Sequence, residues 1–169
     1  MDFIAEFFGA LAVVVNFIGY RQNDINRYRL ISALALTCLS AHFFLLGAMA
    51  AGVGCLLASI RNIVAMRYRS QYIVYLFVAL NLGFFIYEYF WLNHSALIIV
   101  AYSSSLIFTV GSIVLQDANL IRRWFVFAEL LGLIYAISVG SVFGTVFNLL
   151  NLFSIGLKLW QERGIGVKP

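Results

Sequence analysis

Long apolar runs broken by short polar clusters fill this chain. The runs cover 3–20, 29–47, 50–67, 72–91, 96–115, 123–139 and 141–160. Each is close to the roughly 20 mostly apolar residues that a helix needs to cross hydrocarbon. Two separations are narrow. LLGAMAAGVG parts the second run from the third, and SVGSVFG the sixth from the seventh, using mainly glycine and small residues. A fused pair would make a helix of roughly 40 residues, too long for one crossing. The pattern therefore predicts seven membrane-spanning helices.

Composition agrees. The chain has 169 residues, 63% hydrophobic and 11% charged, with mean hydropathy +0.96. A soluble domain carries roughly 25% charged residues, so most of this surface is expected to meet lipid. The one proline is the last residue, so no span is kinked by proline. The first run lacks a basic leader and a cleavage site and reads as the first span. Cys38 and Cys55 fall in apolar runs and read as buried thiols.

Charge predicts orientation. Arg21, Arg27 and Arg29 lie between spans one and two, and Arg67 and Arg69 after span three. Arg122 and Arg123 precede span six, and Lys158, Arg163 and Lys168 follow or end span seven. These are ten of the eleven basic residues, and an alternating seven-span chain puts all ten on one face. The opposite loops carry Asp2, Glu88, Asn93 and His94. Basic loops face the cytoplasm, so the N-terminus is expected outside and the C-terminus inside. The pI of 9.3 then reflects topology, and no nucleic-acid partner is implied.

The chain also repeats itself. DINRYR at 24–29 returns as DANLIR at 117–122, an offset of 93 residues. At that offset Ala35 meets Ala128, Gly47 meets Gly140, and Val53, Leu56 and Leu57 meet Val146, Leu149 and Leu150. The matches fall in the same loop, the same break and the same later helix. We read 1–70 and 96–163 as three-helix repeats, with a linker helix and outer loop at 71–95 and a tail at 164–169. An odd number of spans would invert the second copy, but the linker helix restores its direction. The expected fold is an all-α membrane protein of 3+1+3 design with parallel repeats, one of the plans used by secondary transporters.

This plan resembles the SWEET, PQ-loop, vitamin-transporter and KDEL-receptor group. No Pro-Gln motif is present and no span contains proline, so proline hinges do not carry over. HFFLLG at 42–47, AG at 51–52, Arg61, RYRS at 67–70, GT at 144–145 and RGI at 163–165 are similar to the YgjV family of bacterial inner-membrane proteins. That resemblance runs along most of the chain. It implies a multi-pass protein of the bacterial inner membrane and leaves the solute open.

Ionisable residues inside spans are expensive and point first to function. Arg61 and Glu129 lie at similar depth, roughly two turns from the basic face. They are expected either to form an ion pair or to leave Arg61, snorkelling or holding an anionic group. Glu6 and His42, near the outer surface, form a candidate proton-coupling pair, because histidine titrates near neutral pH. The plainer alternative has His42 bonded to a backbone carbonyl. The neutral set is Asn16 and Thr109 (equivalent under the repeat), Asn62, Ser104, Asn148 and Asn151. With Arg61 it forms the expected solute site; each member singly also fits interhelical hydrogen bonding. Trp91, Trp124 and Trp160 read as interfacial anchors.

Catalytic signals are missing. There is no HExxH, no histidine cluster and no glycine-rich phosphate loop. No enzyme activity, cofactor or metal is expected. The expected partners are the lipid bilayer and a small polar solute. One chain supplies a two-repeat pathway, and a homodimer is compatible with it. The expected function is transport of a small polar metabolite, with a non-transporting receptor or an accessory or structural membrane protein as the alternative.

Overall fold

In hydrocarbon every backbone N–H and C=O needs an internal partner, which favours helices. A computed structural model describes residues 3–20, 24–68, 70–115 and 118–165. Asp2, Arg21, Arg69, Asp117 and Lys168, used in the charge and repeat arguments above, lie outside the described residues. Seven α-helices are found among the described residues: α1 (Phe3–Tyr20), α2 (Ile25–Leu45), α3 (Met49–Val64), α4 (Gln71–Phe90), α5 (Ile98–Val114), α6 (Ala118–Ser138) and α7 (Val142–Ile165). They match the seven predicted runs, with four boundaries displaced by three residues or more: α2 begins four residues before the expected 29, α3 ends three before the expected 67, and α6 and α7 shift further. Helix α6 begins five residues before the expected 123, taking Arg122 and Arg123 into the helix. Helix α7 continues five residues past 160.

Within these helices, Asn26–Leu45, Gln71–Phe90 and Val142–Gln161 are long and apolar enough to cross a membrane. Phe3–Gly19, Met49–Val64 and Ile98–Val114 are shorter apolar helices. The outward faces are strongly apolar, with Phe3, Phe17, Tyr72, Phe127, Phe153 and Trp160 among the large exposed side chains. Lipid is the solvent that such a surface fits.

The two narrow separations are built alike. At the end of α2, Ala48 N–H donates to Phe43 O at 2.9 Å and Gly47 N–H to Phe44 O at 3.0 Å. At the end of α6, Ser141 N–H donates to Ala136 O at 2.9 Å and Gly140 N–H to Ile137 O at 3.1 Å. Both are Schellman ends, which place the residue after the helix in the left-handed region. Gly47 has φ 73° and Gly140 φ 71°. A side chain there would crowd the following carbonyl, which is why glycine stands at both.

Helix α2 opens on Asp24, whose Oδ1 accepts from Arg27 N–H at 2.8 Å. Arg29 Nη1 donates to Ala65 O at 2.8 Å and so caps the C-terminus of α3. That bond brings the start of α2 beside the end of α3. The largest helix contacts join α1 to α2 to α3 and α5 to α6 to α7, and α4 packs on α5 and α3. The two groups meet through α3 against α5 and α1 against α7. Hydroxyls stitch neighbours together: Ser40 Oγ donates to Gly52 O, Ser59 Oγ to Ala33 O and Ser104 Oγ to Ala128 O, at 2.7–2.8 Å. The apolar core lies between these helices and includes Leu39, Phe43, Val53, Leu57, Tyr102 and Phe147.

Candidate functional site

A cavity of about 540 Å³ lies between the two groups of helices. At one end it reaches Asp24, Arg29, Arg122 and Lys158, of which Asp24 and Lys158 are exposed. At the other it stops at Phe43, Tyr135 and Phe147, all buried. The cavity thus opens at the basic end and is closed beneath aromatic rings.

Asn16, Arg61, Asn62, Ser104, Asn148 and Asn151 line it. Thr109, expected to touch solute, is absent from the lining and stands behind it. Its Oγ1 accepts from Arg61 Nη1 at 3.1 Å. A guanidinium has five N–H donors, and here Nε is buried without an acceptor. The expected Arg61–Glu129 ion pair does not form. Glu129 instead accepts from Asn151 Nδ2 at 2.8 Å, and Asn151 Oδ1 accepts from Asn16 Nδ2 at 2.8 Å. A chain of amides therefore runs from α1 through α7 to Glu129 on α6. Arg61 and Glu129 each have 5% exposure, and both line the cavity. The wall also contains Gly132, where a Cβ would approach Asn148 Oδ1 to 2.5 Å. Glycine leaves room there for the amide, which donates back to Gly144 O at 2.7 Å.

The Glu6–His42 pair is corrected as well. His42 is fully buried; its Nδ1 lies 2.7 Å from Ala5 O and its Nε2 lies 2.8 Å from Ser141 Oγ. A carbonyl only accepts, so Nδ1 carries the proton. Nε2 can then accept from the Ser141 hydroxyl, whose oxygen in turn accepts from Gly144 N–H at 2.9 Å. Each polar atom in this network has a role with a neutral imidazole. Glu6 is only partly buried and takes no part. His42 ties α1, α2 and the start of α7 together.

Glu88, expected in an outer loop, is instead buried, while Asn93 and His94 are exposed there. Glu88, in the last turn of α4, is fully enclosed. Its Oε1 accepts from His94 Nδ1 at 2.8 Å and its Oε2 from Tyr102 O–H at 2.7 Å. It borders a second space of about 260 Å³ at the end opposite the basic one. Tyr135 lines both spaces and so forms part of the partition between them. A glutamate inside an apolar run was the available signal for this burial. The signal for Tyr135 was its equivalence to His42 at the 93-residue offset.

Apolar outward faces around a polar, one-ended interior cavity define a polytopic α-helical membrane protein. The chain belongs to the bacterial inner membrane protein family Imp-YgjV, whose profile it matches over residues 3–164. It is 22% identical over 170 residues to "Inner membrane protein YgjV" of Escherichia coli (strain K12), a match covering 98% of this chain and 90% of that protein. No solved structure matches it. The protein is a multi-pass protein of the bacterial inner membrane.

Proposed function

We propose that this protein carries a small polar solute across the inner membrane by alternating access, without chemical conversion of the solute. The observation that carries the reading is the polar cavity between the two helix groups, open at the basic end and closed by Phe43, Tyr135 and Phe147. Basic residues mark the cytoplasmic face, so this conformation is the inward-facing one, with the N-terminus outside.

Two features support a 3+1+3 design with α4 as the linker. The Schellman ends at Gly47 and Gly140 share their dihedral angle and bonding pattern at the repeat offset. The two contacts between the groups also correspond, since α1 against α7 maps onto α5 against α3. Each contact includes a polar bond, Asn16 to Asn151 in the first and Thr109 to Arg61 in the second. Asn16 and Thr109 are equivalent positions. Two similar bundles joined at matched seams can rock about a shared centre. Asn16, Arg61, Asn62, Ser104, Asn148 and Asn151 would then face the solute.

Cys55 lines the cavity and is a free thiol, which provides a test that needs no knowledge of the solute. In a Cys38→Ser background, a membrane-impermeant maleimide is applied to spheroplasts and to inside-out vesicles. Alternating access predicts labelling of Cys55 from both faces, slower from the outside. Labelling from the cytoplasmic face alone would discard transport in favour of a receptor or accessory protein.

A further inference from the structure

The main cavity holds one buried arginine and one buried glutamate that do not pair. Arg61 reaches it from α3 and Glu129 from α6. Among the described residues neither joins an ion pair. Opposite charges that share a cavity of low dielectric attract strongly, and long side chains usually close on each other. Here each is held by a neutral partner. Thr109 takes Nη1 of Arg61, and Asn151 donates to Oε1 of Glu129. Asn151 is itself fixed by Asn16. The two charges are therefore braced apart.

The bracing leaves Arg61 incomplete. Its Nε is buried with no acceptor, and an unmet buried donor is costly to keep. Arg61 also lines the cavity, and a guanidinium matches a carboxylate bidentately. A carboxylate on Glu129 suits an ammonium, which brings three donors and no acceptor. A solute that satisfies both walls carries both charges on one small frame.

We propose that the cavity takes a small zwitterion of the α-amino-acid class, with its carboxylate on Arg61 and its ammonium on Glu129. The inference rests on reading this cavity as the solute site. The mouth fits the same cargo. Among the described residues Arg29, Arg122 and Lys158 outnumber Asp24 there, and positive charge at a mouth draws a carboxylate end inward. A simple cation would meet that field unfavourably. A dianion would leave its second group facing Glu129.

The test is thermal unfolding of the full-length protein in detergent with 10 mM (about the order needed for millimolar binding) of each of several L-amino acids and glycine. Matched N-acetyl derivatives, which lose the cation, and amino-acid amides, which lose the anion, are run beside them. At least one amino acid is expected to raise Tm, and both of its derivatives are expected to leave Tm unchanged. Arg61→Lys keeps the charge but loses the fork, and should weaken that amino acid at least tenfold without lowering the Tm of the empty protein. Glu129→Gln should do the same, with size-exclusion behaviour confirming its fold. Equal stabilisation by the N-acetyl form would overturn the zwitterion in favour of a plain anion. No shift with any amino acid, or a shift indifferent to Arg61→Lys, would also overturn it. The Cys55 labelling experiment uses no solute, so transport can survive the loss of this assignment, and the reverse.

Discussion

Glu88 and Glu129 are both buried acids in apolar helices, yet their surroundings differ. Glu88 has a donor on each oxygen, from His94 and Tyr102, and His94 keeps 39% exposure, which links the pair to water. Glu129 takes an amide on Oε1 and shares its cavity with an arginine that it does not touch. Both acids border a space, of about 260 Å³ at Glu88 and about 540 Å³ at Glu129, but of the two only Glu88 has a donor on each oxygen among the described residues. Burial alone therefore does not describe a charge in a membrane bundle; the state of its hydrogen bonds differs between the two, with both Glu88 oxygens met and Arg61 Nε unmet beside Glu129.

The contrast can be broken most sharply at Glu88. Glu88→Ala strands the buried Tyr102 hydroxyl and one His94 nitrogen. It should cost about 3 kcal/mol of stability, read by unfolding in detergent. Arg61→Gln should cost less, about 1 kcal/mol in the same assay, since it loses the one bond to Thr109 but also removes an orphaned donor. Equal losses at the two sites would end the distinction.

Next in size is His42→Ala, which leaves Ala5 O and Ser141 without their imidazole and opens a cavity. A loss of about 2 kcal/mol is expected. Glu6→Gln should change stability by no more than about 0.5 kcal/mol, which would separate the two members of the pair expected from sequence.

Gly47→Ala and Gly140→Ala test the matched helix ends. No atom crowds either position within 4 Å, so the cost is conformational, about 1–2 kcal/mol each. A clear inequality between them would weaken the two-unit description. A small stability effect also belongs to Gly132→Ala, which should push the Asn148 amide from its place. Stability should fall by about 1 kcal/mol or less, while the rate of Cys55 labelling from the basic end drops as the displaced amide narrows the cavity.

Helix number and most boundaries were legible in the sequence because lipid imposes one rule on every span. Long apolar runs must become helices, and only glycine tolerates the left-handed turn at Gly47 and Gly140. Polar residues inside the runs were also visible, and Asn16, Arg61, Asn62, Ser104, Asn148 and Asn151 share one cavity. Their partners were not legible. Glu6 and His42 seemed matched by depth, but the imidazole turns to Ala5 O and Ser141, 99 residues along the chain from His42. Arg61 and Glu129 were also matched by depth, and each is claimed by a neutral residue instead.

The sequence by itself determined a helical, multi-pass inner-membrane protein and the identity of its buried polar groups. These follow from hydropathy, spacing and backbone sterics, which act locally. Only the tertiary structure decided which groups complete one another and which are left facing a cavity. A hydrogen bond needs its partners within about 3 Å, and helix rotation and tilt set that distance between residues remote in the chain.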